Sequence, residues 1–201
     1  MLIAAGCAQS VTGQAVRSAP GIDDDSHSPV DVDTLILDPP QMRAITGAGD
    51  DLTIIPTMDA KVPVDIEELA KTADPQCEWI FAETLTFGPE VEEFRKTTFQ
   101  HPARGGLISE AVAGYRDTAT ARRAFGALVA RIGDCATTTY GRMLLGEWTG
   151  TPDAVSTRSH GGCGRDYQVR DVVLAEVTFC AFPDSVPGIV LANILAGLPA
   201  G

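Results

Sequence analysis

Apolar residues in this chain repeat with two different periods. Over residues 118–132, Ala121, Phe125, Leu128, Val129 and Ile132 recur at helical spacing and make one stripe, opened by Asp117 as an N-cap. Arg122, Arg123 and Arg131 lie off that stripe, on a solvated face. A second helix is predicted after Ser185, with Val186, Ile189, Val190 and Ile194 as its buried positions and an end by Gly197. Elsewhere the runs are short and β-rich. Residues 91–100 and 107–115 read as two strands joined by a hairpin loop at His101-Pro102-Ala103-Arg104-Gly105-Gly106. Residues 137–148, rich in Thr, Tyr, Leu and Met, and residues 154–159 are further strand candidates. Runs 166–169 and 172–179 flank the polar pair Arg170-Asp171 and predict another hairpin.

The N-terminal half is more broken. An apolar-leaning run at 32–37 precedes Asp38-Pro39-Pro40, which caps and starts a helix over 39–46 that stops at Gly47. Residues 52–55 are extended, 59–63 a loop, and 65–70 one helical turn. Asp74-Pro75 opens a short helix carrying Cys77, Trp79 and Phe81, with Trp79 read as a core residue beside a disulfide. Gly88-Pro89 breaks the chain. Strands joined by short loops and separated by helices predict an α+β class, a central antiparallel sheet with helices packed on it.

Composition narrows the classes of function. A net charge of −12 argues against nucleic acid and against anionic membrane surfaces as partners. Five cysteines are present, and Cys7 stands apart from the other four. Four cysteines allow three pairings. The economical one joins Cys77 to Cys135 and Cys163 to Cys180, closing loops of 58 and 17 residues. Such bonds would place the chain in an oxidising, extracytoplasmic compartment. The rival is a zinc site at His160-Gly161-Gly162-Cys163; no second close pair accompanies it, so no metal and no cofactor is expected.

The first residues, Leu2-Ile3-Ala4-Ala5-Gly6-Cys7, are similar to the end of a bacterial lipoprotein signal, with small residues before a cysteine that becomes lipidated. The charged and most of the apolar portion of such a signal are missing, so residues 1–7 read as a truncated signal with Cys7 as the lipidation site. Residues 8–30, rich in Ser, Gly, Pro and Asp, read as a flexible tether spanning roughly 25–30 Å. The folded domain is expected over 31–201. Attachment to the membrane would be through the lipid alone.

Catalytic motifs are absent: there is no Gly-x-Ser-x-Gly, His-Glu-x-x-His, phosphate loop or dinucleotide fingerprint. Of the three histidines, His27 lies in the tether and His101 and His160 in Gly-rich loops; Ser109 beside Glu110 reads as a surface pair. No catalytic residue is assigned. The hairpin gives the candidate site. With Arg170-Asp171 as its two-residue turn, Arg165 faces Glu176 and Cys163 faces Thr178. Cys163, Arg165, Tyr167, Glu176, Thr178 and Cys180 then share one face, and Val173, Ala175, Val177 and Phe179 the other, more buried one. Arg165, Tyr167 and Glu176 form a polar patch assigned to ligand binding. In this register the two cysteines are not directly opposed, so an irregularity is expected around residues 161–164.

The residues also carry a family resemblance. Leu35-Ile36-Leu37-Asp38-Pro39, Ile45-Thr46-Gly47-Ala48, Asp74-Pro75-Gln76-Cys77, residues 111–127 leading to Cys135, and residues 163–173 followed by Cys180 together are similar to the PknH-like extracellular sensor domains of mycobacterial kinases and lipoproteins. The resemblance implies the disulfide pairing above, an antiparallel sheet with helices and an open cleft, and sensing or ligand binding outside the cell. One departure is that the family often has Trp shortly before the cysteine matched by Cys135, where this chain has Arg131-Ile132-Gly133-Asp134. The expectation is therefore a lipid-anchored, non-enzymatic sensor-like domain of the cell envelope. Its ligand would be a small molecule or envelope component. A co-receptor module binding another envelope protein is the second reading, and an envelope hydrolase the third.

Overall fold

The computed structural model describes residues 27–199. Cys7, the expected lipoprotein signal and most of the expected tether lie outside them. Residue Val30, at the tether's end, is buried against the sheet and so belongs to the folded domain.

The chain first runs through a short 3-10 turn and helix α1 (Pro39–Thr46). Asp38 caps α1 through a reciprocal bond with Gln41, and Gly47 ends it in the left-handed region at φ 64°. Strand β1 (Thr53–Ile54) and helix α2 (Glu67–Thr72) follow, then a 3-10 helix over Pro75–Phe81 and helix α3 (Glu83–Phe87). Strands β2 (Glu93–His101) and β3 (Gly106–Gly114) form a hairpin, and α4 (Thr118–Ala136) crosses to the second half. There α5 (Thr139–Leu145), β4 (Glu147–Gly150), β5 (Ala154–Arg158), β6 (Cys163–Arg170), β7 (Val173–Cys180) and α6 (Val186–Ala196) complete the domain.

All seven strands join one antiparallel sheet in the order β1-β2-β3-β7-β6-β5-β4. The two halves of the chain meet at β3 and β7, the centre of the sheet. Its faces carry separate cores. On one, Val173, Ala175, Val177 and Phe179 of β7 meet Val190 and Ile194 of α6, Met42 of α1, and the N-terminal Val32 and Leu35. On the other, Tyr167, Val169, Leu174 and Ala113 meet Phe125, Leu128 and Ile132 of α4 together with Trp79.

Several expectations are corrected. Residues 139–145 are helical, not extended: the Thr138 hydroxyl caps the helix by accepting from Gly141 N–H at 2.8 Å, and Gly146 ends it at φ 62°. Gly141 is required there, because a Cβ would stand 1.8 Å from the Cys135 carbonyl oxygen. The β6–β7 turn lies one residue later than predicted, at Asp171-Val172, with Asp171 left-handed at φ 52° and Arg170 paired with Val173. The register moves by two positions in sum, so each residue keeps its face while its partner changes. Cys163 is therefore opposite Cys180, not Thr178, and the ladder starts there without a bulge. The tight turn before it, with Ser159 N–H donating to the Cys163 carbonyl at 2.9 Å, turns Cys163's backbone groups toward β5. In antiparallel sheets that leaves the β6–β7 pair in the closer-spaced, non-hydrogen-bonded position, and its Cα atoms are 4.0 Å apart. In α6, Ile189 is exposed, and Leu191 and Leu195 are buried instead. Ser109 and Glu110 are not a surface pair: both are buried, and neighbouring positions on a strand face opposite sides of the sheet. His101 is buried at the end of β2, stacked on Phe182, rather than in a loop.

Candidate functional site

A cavity opens over β2, β3, β7 and β6 on the face that α4 shares, beyond the edge of the helix. It measures about 350 Å³, within the usual range of ligand pockets. Its floor is the strand face itself: Lys96 from β2, Leu107, Ser109 and Ala111 from β3, Glu176 and Thr178 from β7, and Arg165 from β6. Strand alternation places these residues together, because every second residue points the same way. One wall is Met58, beside β2; the other is the 3-10 helix with Ile80 and Phe81 together with Val64 and Ile66, because Ile66 N–H donates to the Phe81 carbonyl at 2.8 Å and Asp65 bridges Ala82.

That second wall is held from two sides. The disulfide Cys77–Cys135 ties the 3-10 helix to α4, and the Arg165 guanidinium donates from Nη2 to the Ile80 carbonyl at 2.8 Å. The same guanidinium lies 6.0 Å from the Trp79 ring centroid, so Trp79 is a core residue that also backs the site.

Of the three residues assigned to the patch, the structure brings all into contact. The Tyr167 hydroxyl donates to Glu176 Oε1 at 3.2 Å, Arg165 Nη1 lies 3.6 Å from the same oxygen, and the Thr178 hydroxyl donates to it at 2.6 Å. Arg165 faces Thr178 across the ladder, and Tyr167 faces Glu176, the corrected register. Arg165, Glu176 and Thr178 line the cavity. Tyr167 does not; it is fully buried on the same sheet face, in the core that α4 covers, and fixes Glu176 from that side. Burial pushes the Tyr167 phenol well above its ordinary range, with the adjacent Glu176 carboxylate adding to the effect. Burial alone would lower the Arg165 guanidinium, but Tyr167 and Glu176 outweigh it and hold it raised and charged. The patch is not a solvated sheet face, since Glu176 is only 7% exposed.

Two further polar elements, the Lys96–Glu83 pair and Asp59, were not singled out from the sequence. Lys96 forms a tight ion pair with Glu83 from α3 at the cavity wall. Asp59 on the lip accepts from Arg95 Nη2 at 3.0 Å and from Thr97 Oγ1 at 3.0 Å; the hydrogen bond from Arg95 is the main reason its carboxyl is held below the usual range. Ser109 hydrogen-bonds the Thr98 hydroxyl at 2.9 Å. The sequence contained one signal for the lip: Met58, Val62, Val64 and Ile66 are apolar residues in a proline-interrupted stretch with no helical or strand partner, which argues for exposure to something other than the core. Cys163 is committed to its disulfide, so His160 has no cysteine with which to share a metal. Among the described residues no group of three or more His, Cys, Asp or Glu side chains is arranged to hold a metal ion.

Comparison with known proteins places this geometry. A profile of the PknH-like extracellular domain family matches residues 28–196. The crystal structure of the extracellular domain of PknH from Mycobacterium tuberculosis superposes with a TM-score of 0.59 at 15% sequence identity, covering 85% of this chain and 97% of that domain. At that identity the likeness speaks for the fold. No curated protein matches the chain.

Proposed function

The chain belongs to the PknH-like extracellular domain family, and from that premise we propose that it is an extracytoplasmic, sensor-like domain that binds a ligand in the cleft over β2, β3, β7 and β6. One observation carries the reading: a charged, hydrogen-bonded floor of Arg165, Glu176 and Thr178 opens between two apolar walls. Concave sites with apolar linings and a few fixed polar groups are the usual form of small-molecule pockets. Binding rather than catalysis fits the floor, because Ser109, a nucleophile by residue type, is engaged with the Thr98 hydroxyl and the Thr97 carbonyl rather than with a base. Anchoring through a lipid on Cys7 is part of the proposal and would hold the domain at the outer face of the membrane. No helix among the described residues is long and apolar enough to cross a membrane.

Thermal-shift screening against fractionated envelope lipids and glycans tests the reading, since a ligand that binds only the folded state raises the midpoint. At least one fraction should raise the midpoint of the wild-type domain and leave Thr178→Trp, which fills the cleft floor, unmoved. Equal shifts in both proteins, or none with any fraction, would contradict it.

A second reading is supported by the lip itself. Val62 is 65% exposed and Val64, Ile66 and Leu69 about half exposed, which also suits a surface that another envelope protein covers.

A further inference from the structure

We propose that the cleft selects uncharged amphiphiles, single-chain molecules with a hydroxyl-bearing polyol head, and rejects those with carboxylate or phosphate heads. This rests on the cleft being the ligand site and adds the chemical class of what enters it.

The walls argue for the chain. Met58, Val64 and Ile66 are more than a third exposed, and Ile80 and Phe81 line the same cleft. Covering such surface is favourable at about 25 cal/mol per Å². The cavity's 350 Å³ lies near the lower end of ligand-pocket sizes and suits one chain rather than a bulky lipid.

The floor argues for the head. Each cation at the cleft already has its acid: Lys96 is paired with Glu83 and Arg165 with Glu176, while Arg95 holds Asp59 on the lip. The lining itself contains three acids, Asp59, Glu83 and Glu176, against two bases, Lys96 and Arg165. An anionic head would have to compete with carboxylates that are already seated, and would be desolvated beside them. Glu176 shows what the floor still lacks. Its bonds from Tyr167 and Thr178 and its approach to Arg165 are all on Oε1; Oε2 has none of them and is not sealed away, so it opens to the cleft as an acceptor. The Thr178 hydroxyl spends its proton on Oε1 and likewise offers only acceptor capacity. A ligand must bring donors to this point. Hydroxyls do so without charge, whereas carboxylates and phosphates bring acceptors against acceptors.

The test is a calorimetric titration of the folded domain with a submicellar series that shares one chain: 1-O-decylglycerol, decanoate and decyl phosphate, with glycerol as the chainless control. Decylglycerol should bind one per protein, and the two anions at least about tenfold more weakly, the effect of one unfavourably placed charge. Ile66→Asp, a change at an exposed lip position, should weaken decylglycerol by a similar factor without affecting the fold. Glu176→Gln should narrow the gap between neutral and anionic heads. Decanoate or decyl phosphate binding as tightly as decylglycerol would overturn the head-group selection and leave the cleft as a ligand site. Glycerol binding as well as decylglycerol would overturn the role of the walls. No binding by any member would overturn the amphiphile class, while a cleft-dependent thermal shift by another fraction would still uphold the ligand site.

Discussion

Glu110 sits in the middle of β3 with no exposure to solvent, on the sheet face opposite the cleft. Its Oε2 accepts the Leu37 N–H at 3.3 Å and its Oε1 has no partner. Burial pushes its carboxyl up to about 8, against smaller lowering effects from the Leu37 N–H and Arg95. The folded state therefore holds a proton that the unfolded chain releases near 4.5. Between those values the folded state binds more protons, so Glu110 makes stability fall as pH rises from about 4.5 to about 8, and the fall levels off above. The effect is on the order of a few kcal/mol across the window. Glu110→Gln should match the wild type near pH 4 and exceed its stability at pH 9, measured by denaturant unfolding across that range. Parallel stability curves for the two proteins would contradict this assignment. The bond to Leu37 also shows why the N-terminal segment belongs to the domain: Glu110 and Glu93, which accepts the Val32 N–H at 3.2 Å, fasten it to the sheet.

At the scale of elements, the 3-10 helix Pro75–Phe81 is the piece on which the cleft depends. It carries Ile80 and Phe81 into the wall and Trp79 into the core, yet its i→i+3 hydrogen bonds have poorer geometry than those of an α-helix. The 58-residue disulfide loop holds it to α4. Replacing Cys77 and Cys135 together by Ser should cost about 4 kcal/mol by loop-closure entropy, and amide exchange should rise first in residues 75–87. A uniform rise in exchange over the whole sheet would show instead that the bond stabilises the fold without holding the wall in particular. What was legible in the sequence divides along the same lines. Helix α1 was readable to its last residue because Asp38, two prolines and Gly47 state its start and stop locally. Helix α5 was misread because its Thr and Tyr residues favour strands, while its cap at Thr138 and the glycine packed on Cys135 depend on the disulfide's surroundings. The hairpin's turn was placed on the more polar pair, Arg170-Asp171; the left-handed Asp171 instead takes the first turn position, and Val172 the second. The face of each hairpin residue survived that error because alternation depends only on odd and even positions. Arg165, Tyr167 and Glu176 could thus be grouped from sequence, whereas the Lys96–Glu83 pair joins a strand to a separate helix and has no local signal.

For the whole molecule, the domain is a sheet with two dissimilar faces. One is sealed by α6, α1 and the N-terminal segment. The other is covered by α4 over β6 and β7 and left open toward β2 and β3, where Met58 and the 3-10 helix, joined to residues 64–66, line the opening. This division of the sheet leaves the paired charges at the floor of a cleft. Entry of the proposed ligand there is tested most directly by a ¹H–¹⁵N correlation titration of the uniformly labelled domain with 1-O-decylglycerol. Shifts should cluster in residues 57–66, 80–83, 107–111, 165 and 176–178, and should be lost in Thr178→Trp. Shifts confined to α6 and the opposite face, or shifts unchanged in Thr178→Trp, would contradict it.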